Sequence, residues 1–268
     1  MVPHVLHLFV MKRKSVVLAL IVVLVLVGLY ASQRDNTTVA PKTNASSTQD
    51  STKQTDQQDP DKSFDKTKYS RTSAASIWVA VNKSHPLSPK NYVPNDLVLP
   101  NVKQRVPGTD EMKMRAEAAK ALERLFSDAN SAGIKLLIST AYRSYSYQTV
   151  LYNNDVKAHG RAAADQSTAR PGYSEHQTGL AVDIRAQSGV CSVQQCFGNT
   201  AEGKWLATNA YKYGFLLRYP ADKQAITGYE YEPWHFRYIG TDLSNELHKQ
   251  GTKTLEEFFN VSGGGTYK

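Results

Sequence analysis

Two histidines and an aspartate, His176, Asp183 and His235, together with a glutamate three residues before the last of them, Glu232, are the residue types that hold and use a catalytic zinc ion. Two neutral imidazoles and one carboxylate leave a fourth position for water, and a nearby non-ligand glutamate can take that water's proton. His176 and Asp183 lie in SEHQTGLAVD, residues 174–183, and the other two lie about 50 residues on in YEYEPWHFRY, residues 229–238. Each has an ordinary reading when taken alone. His176 reads as a histidine in a polar turn, His235 as a satisfied core histidine, and Asp183 as the partner of an arginine. Yet Asp183 sits between Val182 and Ile184, and a carboxylate in a strand buried on both faces is costly without a cation or several hydrogen bonds. The joint pattern therefore points to a metal. Zinc is the expected ion, although this ligand set accepts other divalent metals.

The elements that must position these residues follow from periodicity. Met114, Ala118, Leu122, Leu125 and Ala129 recur at helical spacing, so a helix is expected over residues 111–132, stopping at Gly133. KLLISTAY, residues 135–142, reads as a buried strand, and residues 146–159 read as a second helix closed by Gly160. Residues 180–185 are expected as a short strand, residues 201–213 as a helix ending at Gly214, and FLLRYP as another strand. Residues 234–239 complete the strands, and a helix over residues 241–250 follows with Thr241 or Asp242 as its N-cap. Irregular alternation of helices with short strands implies an α+β domain: a small, mainly antiparallel sheet flanked by helices.

The 268-residue chain is uneven along its length. Residues 15–31, SVVLALIVVLVLVGLYA, carry no charge and follow Lys12, Arg13 and Lys14. Seventeen residues span about 26 Å as a helix, close to a bilayer core, so a single transmembrane anchor or signal is expected after a short basic cytoplasmic segment, residues 1–14. The basic cluster stays inside, which puts the rest of the chain outside the cell membrane. An uncleaved anchor is favoured, because Leu29 fits a small-x-small cleavage site poorly. Met11 directly opens the basic cluster and is an alternative start. Residues 32–72 are polar and read as a disordered linker, with a typical reach of about 35 Å. Residues 73–262 have the composition of one folded domain, and GGGTYK, residues 263–268, reads as a disordered tail.

Three of the +8 net charges belong to the cytoplasmic segment, leaving +5 outside. That mild excess suits an anionic envelope. Nucleic acid is excluded as a partner, because no dense Lys/Arg stripe with interleaved aromatics is present, and no obligate protein partner is evident. Cys191 and Cys196 are the two cysteines. Outside the membrane they are expected to close a small disulfide loop, with free thiols as the alternative.

SxHxxGxAxD at Ser174, His176, Gly179, Ala181 and Asp183, followed by ExWH at Glu232, Trp234 and His235, resembles the VanY-type D-alanyl-D-alanine carboxypeptidase family. Val81-Asn82-Lys83 with Pro86, Leu87, Tyr92 and Pro94, and Tyr142-Arg143-Ser144 with Gln148, extend the resemblance over about residues 77–250. The resemblance implies zinc on His176, Asp183 and His235 and Glu232 as general base. It also implies that Arg143 meets the substrate carbonyl or carboxylate while Ser174 and Gln148 hold the peptide end. The implied fold is the small α+β zinc-peptidase fold shared with lysostaphin-type and hedgehog-type domains. The implied activity is removal of the C-terminal D-alanine from peptidoglycan stem peptides. Rival readings are an L,D-carboxypeptidase, a stem-peptide endopeptidase, or a wall-binding module without turnover; an intact Glu232 argues against the last.

Overall fold

The computed structural model describes residues 63–268. The expected anchor, the basic segment before it and the linker as far as residue 62 lie outside the described residues. Among the described residues, no helix is long and apolar enough to cross a membrane.

A four-stranded antiparallel sheet forms the centre, in the order β3-β4-β6-β5. Its strands are β3 (Leu136–Thr140), β4 (Ala181–Ala186), β5 (Phe215–Leu217) and β6 (His235–Tyr238). A separate two-stranded ladder joins β1 (Leu97–Val98) to β2 (Met114–Arg115). The principal helices are α1 (Ala116–Ser131), α2 (Tyr145–His159), α3 (Arg161–Ser167), α4 (Ala201–Asn209), α5 (Gln224–Thr227), α6 (Thr241–Gln250) and α7 (Leu255–Phe259). The α+β sheet-and-helix architecture is therefore as expected.

One face of the sheet is the core. Val182, Ile184 and Ala186 alternate on β4 with Asp183 and Arg185, and they pack with Ala118, Leu122, Leu125 and Ala129 of α1. Because side chains alternate along a strand, Asp183 is delivered to the opposite face. Glycines then set the joints. Gly179 takes a left-handed φ of 67°, and a Cβ there would lie 2.8 Å from Leu97 Cδ2, so the chain turns tightly against β1 and β2 before entering β4.

Several boundaries differ from expectation. The first helix begins at Ala116, because residues 110–115 form a 3₁₀ turn and then the strand β2, whose Met114 faces Val98. Pairing with a distant segment overrides the helical spacing of that methionine. Residues 201–213 are α-helical only to Asn209 and tighten to 3₁₀ over Ala210–Tyr213 before Gly214. The N-cap of α6 is Gly240, with no side-chain cap, rather than Thr241 or Asp242.

The ends of the domain are also more ordered than their composition implies. Within the expected linker, Phe64 stacks on Trp78 and packs edge-on against Phe258, while Lys66 donates to the Phe258 carbonyl. Two aromatic residues, Phe64 and Tyr69, tie this polar stretch to the core. The tail expected to be disordered is docked as well. Tyr267 accepts a hydrogen bond from the Arg170 backbone, bonds the Tyr229 hydroxyl and lies under the Arg170 guanidinium. Cys191 and Cys196 form the expected disulfide.

Candidate active site

The antiparallel register places Asp183 of β4 directly opposite His235 of β6, so their side chains share one face. His176 comes from the 3₁₀ turn Glu175–Thr178 just ahead of β4. The loop after β3 completes the arrangement, because Ala141 O accepts from His176 Nδ1 at 2.6 Å and Arg143 N donates to His176 O. A turn in which His235 N donates to Glu232 O brings the Glu232 carboxylate over the start of β6.

One ligand atom from each of His176, Asp183 and His235 lies within 4.8 Å of the other two, and all three residues are buried. With Nδ1 committed to Ala141 O, His176 turns Nε2 toward Asp183 Oδ1 at 3.3 Å. His235 Nδ1 lies 3.5 Å from the same Oδ1 and 3.3 Å from Glu232 Oε2. Asp183 serves both readings of its sequence position: Oδ2 accepts from Arg143 Nη2 at 2.6 Å, while Oδ1 faces the imidazoles. His176 Nε2 and Asp183 Oδ1 are buried without a hydrogen-bond partner. Orphaned buried acceptors that converge in this way fit a divalent cation, and the N,N,O donor set suits zinc.

The electrostatics agree. Burial and the nearby Arg143 charge lower the His176 pKa to about 4, so its imidazole is neutral near pH 7. Burial also opposes charge on His235, but the neighbouring carboxylates of Glu175, Glu232 and Asp183 outweigh it and raise its pKa to about 9. Burial raises the Asp183 pKa, yet the His176 and Arg143 charges reverse this and hold it well below the usual carboxylate range. Glu232 is raised by burial, partly offset by His235.

A buried charge network beneath the site was missed in the sequence reading. Glu175 Oε1 accepts from Arg218 Nε at 2.9 Å and from Arg237 Nη1 at 2.8 Å. Arg218 also grips Glu256 with both terminal nitrogens, at 2.9 and 2.7 Å, and Arg237 donates to the Ile77 and Val79 carbonyls. All four charged residues are at most 3% exposed. The available signal was an arginine inside each of two aromatic strand stretches, FLLRYP and WHFRY.

The remaining candidates are less directly engaged. Ser174 is buried two residues before His176, and Gln148 is fully buried on α2, where Nε2 donates to Ala169 O and Oε1 has no partner. Among the described residues, neither bonds the His176, Asp183 and His235 cluster. Cys191 and Cys196 belong to a separate loop between β4 and α4.

The sheet, the buried triad and the adjacent glutamate define a metallopeptidase-like site, and the chain's relatives agree with that class. Residues 111–241 match the family model for VanY, D-alanyl-D-alanine carboxypeptidase. YodJ of Bacillus subtilis (strain 168) is 45% identical over 184 residues, covering 68% of this chain and 67% of the relative. The bifunctional D-Ala-D-Ala dipeptidase and D-Ala-D-Ala carboxypeptidase VanXYC of Enterococcus gallinarum is 38% identical, over 66% of this chain and 90% of that protein. Among solved structures, the LD-carboxypeptidase LdcB aligns with a TM-score of 0.66 at 44% identity, covering 71% of this chain and 89% of that one. VanYB in complex with D-alanine-D-alanine aligns at 0.56 and 32% identity, covering 68% and 96%. A vancomycin resistance D,D-pentapeptidase VanY variant in complex with Zn(II) aligns at 0.57 and 33%, covering 68% and 98%. This chain belongs to the VanY D-alanyl-D-alanine carboxypeptidase family.

Proposed function

We propose that the protein is a zinc-dependent carboxypeptidase that removes the C-terminal D-alanine from peptidoglycan stem peptides. The observation that carries this reading is the buried convergence of His176 Nε2, Asp183 Oδ1 and His235 Nδ1 beside Glu232. When bound there, zinc supplies a Lewis acid at the scissile carbonyl and makes water more acidic. Glu232 takes the attacking water's proton and returns it to the departing amine, a role suited to a carboxylate whose pKa burial has raised. Arg143, tied to Asp183, opposes the negative charge that develops on the carbonyl oxygen. Ser174 and Gln148 hold the peptide end in this reading.

The choice of bond is separate. The sequence puts cleavage between two D-alanines first, and VanYB is a solved neighbour in complex with D-alanine-D-alanine. Greater likeness to LdcB, at 44% against 32% identity, favours the L,D bond of a tetrapeptide stem, and we adopt that second reading. Incubation with tripeptide, tetrapeptide and pentapeptide stems decides between them. Loss of one alanine from the tetrapeptide supports L,D cleavage, and loss from the pentapeptide alone supports D,D cleavage. If neither shortens, the carboxypeptidase reading fails. We also place the protein at the outer face of the cell membrane as a single-pass protein, on the strength of residues 12–31 alone.

Metal binding should carry a pH signature. The metal-free protein holds a proton on His235 below its pKa of about 9, and zinc needs the neutral ring. Apparent zinc affinity should therefore rise as pH increases toward 9, with proton release from this ring at pH 7. Titration calorimetry in buffers of different ionisation enthalpy measures that release, and a buffer-independent heat would refute it.

A further inference from the structure

Resting on the metal reading above, we propose that Glu175 is a positioning residue for the metal centre: its Oε2 accepts the Nε2–H of His235 and so presents Nδ1 to the ion. His235 has two ring nitrogens, and its neighbours divide them. Nδ1 faces Asp183 Oδ1 and Glu232 Oε2, at 3.5 and 3.3 Å. Nε2 faces away, toward Glu175 Oε2 at 3.6 Å. Both atoms of that last pair are buried without a hydrogen-bond partner. Leaving a buried donor and acceptor unpaired is unfavourable, and an approach of less than about 1 Å brings them to ordinary N–H···O distance.

The Glu175 carboxylate is also held in place. Oε1 is gripped by Arg218 and Arg237, so the carboxylate cannot swing away and Oε2 stays aimed at the ring. His176 is fixed in the complementary way, through Nδ1 on the Ala141 carbonyl, which leaves Nε2 for the cluster. The two histidines thus use opposite nitrogens, each set by a partner on the far side of its ring. Such outer partners fix tautomer and orientation, and their loss lowers metal affinity by about 10–100-fold. Glu175 is adjacent to His176 in sequence but serves the histidine 60 positions further on.

Zinc affinity of the full chain, measured by competition with a chelating dye, tests this together with the ¹H–¹⁵N side-chain spectrum of the zinc-loaded protein. The wild type should show a His235 Nε2–H resonance protected from exchange. Glu175→Gln should weaken zinc by about 10–100-fold and lose that protection. Glu175→Asp keeps a charge for the two arginines but withdraws it from the ring, so it should show the same loss even if the glutamine variant does not fold. Glu256→Gln disturbs the same buried network through Arg218 without touching His235, so it should lower thermal stability and leave zinc affinity unchanged. Wild-type affinity in Glu175→Asp, or an equal loss in Glu256→Gln, overturns the inference while the metal reading stands. A wild type that binds no zinc overturns both.

Discussion

Glu232→Gln should reduce turnover by about 10²–10⁴-fold, the range for removing a positioned general base, while the protein keeps its metal. The substitution preserves volume and a hydrogen-bonding oxygen beside His235 Nδ1, which lies 3.3 Å from Glu232 Oε2, but removes the ability to accept a proton. Because Glu232 is outside the group of three converging ligand atoms, metal content should remain at the wild-type level. The loss should fall on kcat more than on KM, since the proton is transferred in the transition state rather than on binding. The measurement is steady-state release of D-alanine from the preferred stem peptide, alongside metal analysis of the same sample. Retained turnover would remove Glu232 from the mechanism. Lost metal would instead make it a ligand.

The local part of the site was legible because each half is compact: His176 and Asp183 in one ten-residue stretch, Glu232 and His235 in one tetrapeptide. Glycine stops were legible for the same reason, as at Gly160 and Gly214, both at positive φ after a helical segment. What escaped depends on distant partners. Met114 fits a helical stripe, and only its pairing with Val98 makes it a strand residue. Helix α3 buries a single residue, Ala164, so it has no apolar stripe to detect. Helix α7 is five residues long and also lacks a full period, but its start was readable. Thr254 Oγ1 accepts from Glu257 N and bonds the Glu257 carboxylate, a Thr-x-x-Glu capping arrangement. The charge network was hidden because Glu175, Arg218, Arg237 and Glu256 come from four separate segments, and strand pattern alone cannot say that an arginine points inward.

That network gives the largest expected effect on stability. Arg218→Met should destabilise the fold by about 3–5 kcal/mol, the cost of breaking a buried ion pair by removing one partner. Arg218 is fully buried and supplies three hydrogen bonds, one to Glu175 and two to Glu256. Methionine fills much of the space but leaves Glu256 facing Asn82 Nδ2, and Glu175 with Arg237 as its remaining arginine. The pH dependence has a definite sign. Burial pushes the Glu175 pKa up, but Arg218 and Arg237 outweigh it and hold the pKa far below the ordinary carboxylate value. A carboxylate depressed in the folded state contributes stability above its unfolded pKa of about 4.3, and that contribution is lost as pH falls through the folded value. Losing Arg218 shrinks the depression, so the gap between wild type and variant should be full at pH 7 and narrow below about pH 4. Urea unfolding followed by circular dichroism measures both, with the midpoint shifting and the slope unchanged. A gap that stays constant across this range would mean that Arg218 acts by packing rather than charge, and a negligible gap at pH 7 would mean that the two carboxylates find other partners.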